Sequence, residues 1–163
     1  MAEQYQYQPF FMELINNVEK LISSTGYSLS FSSINAMDLK NSIHSIIENA
    51  SGVILLGTNL TIDQIRMFHE MCNNLVVIDT CQNLLNTNFI VMNNELGAYQ
   101  AGEYLIKLGH KKIGYVESNS RIYNFEMRKK GFFQILKENG LNINKEHIYS
   151  MSPTIIGVQE NFK

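Results

Sequence analysis

Residues 52–79 read GVILLGTNLTIDQIRMFHEMCNNLVVID. The run Gly52-Val53-Ile54-Leu55-Leu56 is short, apolar and continuous, the pattern of a buried strand. Thr61-Ile62-Asp63-Gln64 follows with the form of a capping box, in which a threonine hydroxyl and a glutamine amide satisfy free amides at a helix start. The helix so begun reaches about Cys72, and Leu75-Val76-Val77-Ile78 is a second apolar strand ending at Asp79. Strand, helix, strand in this order predicts a βαβ unit with parallel strands and a right-handed crossover.

Working outward, the same alternation continues on both sides. Upstream, Asp38 is placed to cap a helix carrying Leu39, Ile43, Ile46 and Ile47 on one face. Before it, Tyr27-Ser28-Leu29-Ser30-Phe31 alternates like a strand, and a helix from Pro9 carries Phe11, Leu14, Ile15, Val18, Leu21 and Ile22 until Gly26 stops it. Downstream, Phe89 to Met92 reads as a short strand, Asn94 to Leu108 as a long helix, and Lys112 to Val116 as the next strand. Gly97, Ala98, Ala101 and Gly102 predict that this long helix lies close against a sheet. A helix from Phe125 to Asn139 faces Phe132, Ile135 and Leu136 inward, His147 to Tyr149 is a last short strand, and Thr154 to Lys163 begins another helix. The fold class is therefore α/β, with parallel sheets and helices on both faces. Ligands of such sheets meet the chain beyond the carboxyl ends of the strands, which points to Leu56 to Asn59, Asp79 to Gln82 and Glu117 to Asn124.

Bulk properties narrow the function classes. The 163 residues suffice for one domain or two small lobes, and 45% hydrophobic with 17% charged residues describes an ordinary folded chain. A formal net charge of -2 argues against a nucleic-acid grip by this chain itself. Lys111-Lys112 and Arg128-Lys129-Lys130 are short clusters that read first as solvated surface. Cys72 and Cys81 lack the spacing of a zinc or redox site, and His44, His69, His110 and His147 are scattered, so no metal and no cofactor is expected. Met1 to Gln8 lack the basic start and apolar stretch of a signal peptide, and no apolar run approaches membrane-spanning length, so no membrane and a cytoplasmic location are expected. No GxGxxG, GxxxxGK[ST] or GxSxG motif is present, and Asp63, Glu70, Asp79 and Glu117 are not spaced as an acid and base pair. The expectation is no enzyme.

Val91 to Val116 reads VMNNELGAYQAGEYLIKLGHKKIGYV. This resembles the signature of the lactose-repressor/galactose-repressor (LacI/GalR) regulators: an Asp-Asn-x-x-Gly opening, a small-residue helix, then Leu-Gly-His-Lys/Arg-x-Ile before a strand. Asn93 stands where the family usually has Asp. Arg128-Lys129-Lys130-Gly131-Phe132 resembles the family's Arg-x-x-Gly-Phe segment, and Gln8-Pro9-Phe10-Phe11 its Asn-Pro-Phe-Phe segment, with Gln8 in place of Asn. Together the matches cover nearly the whole chain.

The resemblance implies a periplasmic-binding-protein-like, two-lobed sensing module that encloses a small effector, a sugar or a purine, while a separate N-terminal helix-turn-helix domain absent here reads DNA. It implies effector contacts from Pro9, Phe10, Phe11 and Asp79 in the first lobe and from Asn124 and Arg128 in the second. An aromatic ring stacks on a sugar's apolar face, a carboxylate accepts from hydroxyls, and a guanidinium donates from a rigid fork. Each residue also has a plain structural reading: Phe10 and Phe11 as core, Asp79 and Asn124 as turn or helix caps, Arg128 as a surface ion pair. The implied lobe boundary is near Met92 and Asn93, giving residues 1–92 as lobe one without its first strand and 93–163 as an incomplete lobe two. An uncovered sheet edge predicts instability or association of the isolated chain, and paired operator half-sites imply a homodimer. The competing reading is a sugar-binding protein of a transport system, which shares the architecture. A small α/β enzyme or receiver domain is the third class, and it lacks a motif.

Overall fold

A computed structural model of the chain describes residues 9–82, 85–154 and 159, which fall into two units divided between Asn49 and Ala50. In the first unit, α1 spans Pro9–Ser24 and buries Phe11. Proline suits its first turn, where no intrahelical donor is needed. The helix ends as the sequence predicts: Ser24 and Thr25 hydroxyls donate to the Leu21 and Ile22 carbonyls, and Gly26 takes a left-handed φ of 84°. A single 3-10 turn, Ala36–Asp38, leads into α2, Leu39–Ile47, which buries Leu39 and Ile43. Asp38 occupies the cap position of α2 without a capping bond, its carboxylate accepting instead from the Asn41 amide.

The strand expected at Tyr27 to Phe31 does not form; residues 27–35 have no regular structure. A strand is held by its ladder, and among the described residues this segment pairs with none. Tyr27 and Phe31 are both about two-thirds exposed, so the alternation gives a pattern without a partner.

The second unit opens with the βαβ element read from residues 52–79. Strand β1 (Val53–Leu56), helix α3 (Ile62–Met71) and strand β2 (Leu75–Ile78) are followed by β3 (Asn88–Ile90), and the three strands form a parallel sheet in chain order. Val53 pairs with Leu75 and Val76 with Asn88. The capping box is realised in full, with Thr61 Oγ1 accepting from the Gln64 amide and Gln64 Oε1 from the Thr61 amide. Leu55, Leu75, Val77, Ile65 and Phe68 are buried here.

Helix α4 (Asn94–Lys107), strand β4 (Tyr115–Ser118), helix α5 (Tyr123–Glu138) and strand β5 (Ile148–Met151) complete the unit, and β4 pairs parallel with β5. The paired part of β4 thus shares only Tyr115 and Val116 with the predicted Lys112 to Val116 and runs on to Ser118, because pairing starts only where Tyr115 meets Ile148. Of the small residues of α4, Gly102 packs against a helix rather than a sheet, while a Cβ on Gly97 would meet nothing within 4 Å and Ala101 is exposed. A Cβ on Gly102 would sit 2.6 Å from Ile135 Cγ2, and one on Gly131 would overlap the Glu95 carbonyl, so α4 and α5 touch backbone to backbone. Phe132, Ile135 and Leu136 fill the space beside them, with Tyr115 stacked on Phe132 at 5.3 Å. The helix expected over Thr154 to Lys163 lies outside the described residues apart from Thr154 and Gln159. Among the described residues no helix is long and apolar enough to cross a membrane.

Candidate functional site

The site grows from the end of β2. Asp79 follows the last paired residue and takes a left-handed φ of 67°, a conformation that aspartate tolerates better than most side chains. Its own N–H still donates to the Ile90 carbonyl at 3.0 Å, which fixes the turn against β3. Its carboxylate then receives two donors: Thr58 Oγ1, from the loop after β1, at 2.5 Å, and Asn124 Nδ2 at 2.7 Å.

Asn124 is the second residue of α5 and is buried. Its Oδ1 accepts from Asn94 Nδ2 at 2.9 Å. Asn94, also buried, opens α4, while the cap belongs to Asn93, whose Oδ1 accepts from the Leu96 amide. Asparagine caps as well as aspartate does, so the departure at position 93 leaves the cap intact. The second N–H of the Asn94 amide donates to the Met92 carbonyl at 3.1 Å, and its Oδ1 accepts from Arg128 Nε at 2.8 Å. The guanidinium of Arg128 also stands 5.8 Å from the centre of the Phe125 ring, within reach of a cation–π attraction.

The three consecutive cations of α5 each reach a different partner. Arg128 binds Asn94, Lys129 pairs with Glu117 of β4, and Lys130 pairs with Glu95 of α4 at 2.9 Å. Two open clefts flank the set. One of about 310 Å³ is lined by residues 91–95 with Tyr123 and Met127, and one of about 720 Å³ is lined by residues 115–121 with Arg128, Lys129 and others. Both volumes fall in the range of small-molecule sites. The phenols of Tyr123, which lines the smaller cleft, and Tyr115, which lines the larger, are pushed above the ordinary tyrosine value chiefly by burial.

Of the residues singled out from sequence, Asp79, Asn124 and Arg128 are brought into one hydrogen-bonded set. Pro9, Phe10 and Phe11 belong to the first unit, where Phe10 is 47% exposed, Phe11 is 6% exposed, and their rings meet edge to face at 5.2 Å. Thr58 and Asn94, which join the set, were not singled out. Thr58 lies inside the Leu56 to Asn59 stretch that the carboxyl-end rule marks, and Asn94 reads in sequence as a helix start within the Asp-Asn-x-x-Gly-like opening.

The family described as periplasmic binding proteins and sugar binding domain of LacI family matches residues 3–161, and the chain belongs to that family. Among its relatives, the HTH-type transcriptional repressor PurR of Pasteurella multocida (strain Pm70) is 29% identical over 144 residues, covering 86% of this chain and 43% of its own length. The crystal structure of a transcriptional regulator LacI from Bacillus cereus subsp. cytotoxis NVH 391-98 superposes with a TM-score of 0.77 at 25% identity, over 93% of this chain and 55% of that one. A transcriptional regulator CelR–cellobiose complex superposes at 0.80 with 16% identity, over 96% and 49%, a likeness of fold alone. The chain spans less than half the length of the curated repressor relatives that it matches.

Proposed function

We propose that this chain is the ligand-sensing and dimerising part of a LacI/GalR-type transcriptional regulator, a cytoplasmic repressor without enzymatic activity. A small effector, a sugar in preference to a purine, controls operator binding by a separate helix-turn-helix domain. The observation that carries this reading is the hydrogen-bonded relay that links Asp79, beyond the end of a parallel sheet strand, through Asn124 and Asn94 to Arg128, which lines an open cleft. The repressor names of the relatives support the regulatory reading over transport, and the cellobiose held by one structural neighbour supports a sugar.

In this reading the lobes meet near Met92 and Asn93. Asp79 accepts from effector hydroxyls, Arg128 donates through its terminal nitrogens, and Asn124 serves the site through Asp79. Effector binding favours one arrangement of the lobes and so one spacing of the DNA-reading heads in a homodimer. Isothermal titration of the chain with hexoses, cellobiose and purine bases tests it. Asp79→Ala and Arg128→Ala are each expected to weaken the best ligand about 10- to 100-fold, since each removes a hydrogen bond to a charged group. Unchanged affinity in both variants sinks the site assignment. Sedimentation is expected to give the dimer mass, and a monomer at every concentration removes the dimer from the proposal.

A further inference from the structure

The bonds around Asp79 have a direction. Arg128 only donates and Asp79 only accepts, and between them lie two carboxamides, Asn94 and Asn124, each accepting on the Arg128 side and donating towards Asp79. Asn94 has three partners. Turned over, its amide would set donor against donor at Arg128 and acceptor against acceptor at both Met92 and Asn124. Its burial leaves no water to repair such a fault, so one orientation of Asn94 dictates the rest. Arg128 Nε is thereby committed, while the terminal guanidinium nitrogens have no hydrogen-bonded acceptor among the described residues, and the Asp79 carboxylate keeps acceptor capacity beyond its two donors.

We infer that Asn94 is a positioning residue that holds Arg128 directly and Asp79 through Asn124, so that the donor and the acceptor are set as a pair rather than singly. That the pair meets an effector rests on the function proposed above; the hold of Asn94 on both does not. With the lobe boundary at Met92 and Asn93, Thr58 and Asp79 precede the joint and Asn94, Asn124 and Arg128 follow it. The same bonds then cross the joint on which lobe closure turns, and an effector that draws on either end loads that joint.

The test needs no ligand. In the full chain, Asn94→Ala and Asn94→Asp are read by NMR through the Arg128 Nε–H and the Asn124 side-chain amide, with the backbone amide spectrum reporting the fold. In Asn94→Ala the exchange of the Arg128 Nε–H with water is expected to rise about tenfold or more, the loss of one hydrogen bond of ordinary worth, and the Asn124 amide signals are expected to move. Asn94→Asp keeps the size and the acceptor but has no N–H. It is expected to leave the Arg128 proton protected while the Asn124 amide moves, a split that mere space-filling would not produce. Both reporters unmoved in Asn94→Ala, or an unmoved Asn124 amide in Asn94→Asp, overturns the inference. If the alanine variant loses its fold, the aspartate variant decides alone. A chain that binds none of the sugars or purines yet shows the split refutes the effector reading and leaves the positioning role standing.

Discussion

The two sheets of the second unit are built alike and held differently. In the three-stranded sheet β1–β3, the strands and the crossover helix share the core: Leu55, Leu75 and Val77 of the strands are buried, and Ile65 and Phe68 of α3 are wholly so. In the two-stranded sheet β4–β5, Val116 and Tyr149 are more than half exposed, and two strands alone are marginal in water. Burial there falls to the helix pair α4–α5, through Phe132, Ile135 and Leu136 around the close approach at Gly102 and Gly131. One region rests on its sheet with the crossover helix and the other on its helix pair, so each should fail to a different injury.

Gly131→Val is the harshest injury to the second region. The new side chain would overlap backbone at Glu95, which cannot swing aside as a flexible side chain does. A loss of roughly 3 kcal/mol or more is expected by urea denaturation, with hydrogen exchange accelerated first in β4, β5 and α5 and later in β1 to β3. Phe68→Ala is the matching injury to the first region; a cost of about 3–5 kcal/mol is expected, with the order of exchange reversed. Equal acceleration everywhere in both variants would erase the distinction. Thr61→Ala removes one arm of the capping box of α3 and is expected to cost about 1 kcal/mol, confined to the first region.

The mildest probe is acid. The Glu138 carboxyl is held below the ordinary glutamate value, first by the Tyr99 hydroxyl at 2.7 Å and then by the Gln134 amide. A depressed value stabilises the fold above the ordinary glutamate range, and that contribution is lost as pH falls through the lowered value. Both groups are exposed, so the effect is small. A pH series of melting curves is expected to show it in the native chain and a flatter acid limb in Tyr99→Phe; identical limbs would show that the bond does not persist in solution.

Much of this fold is legible in the sequence wherever a local signal suffices. The capping box at Thr61 and Gln64, the helix end at Gly26, and the apolar runs of β1 and β2 depend on neighbours in the chain. What fails depends on partners far along it. The alternation at Tyr27 to Phe31 carries no statement of which strand will pair with it. The small residues of α4 announce close packing without saying that Gly102 is the one α5 packs on. The site divides in the same way. Asp79 follows a strand and Arg128 sits in a family motif, so both stand out; Asn94 lies in a family motif as well, but its link to Asn124 and Arg128 is made only when α5 packs against α4. Arg128-Lys129-Lys130 reads as solvated charge because nothing local reveals Glu117 and Glu95 as its partners.

The central claim is that the carboxyl ends of these parallel strands form a site for a small effector. Titration of sugars and purine bases into the isotopically labelled chain, followed by amide chemical shifts, tests it most directly. The ligand which binds is expected to move Thr58, Asp79, Thr80 and the residues from Asn119 to Asn124, with Arg128 Nε–H among the largest shifts. A bound ligand that moves other residues and leaves these in place would contradict it.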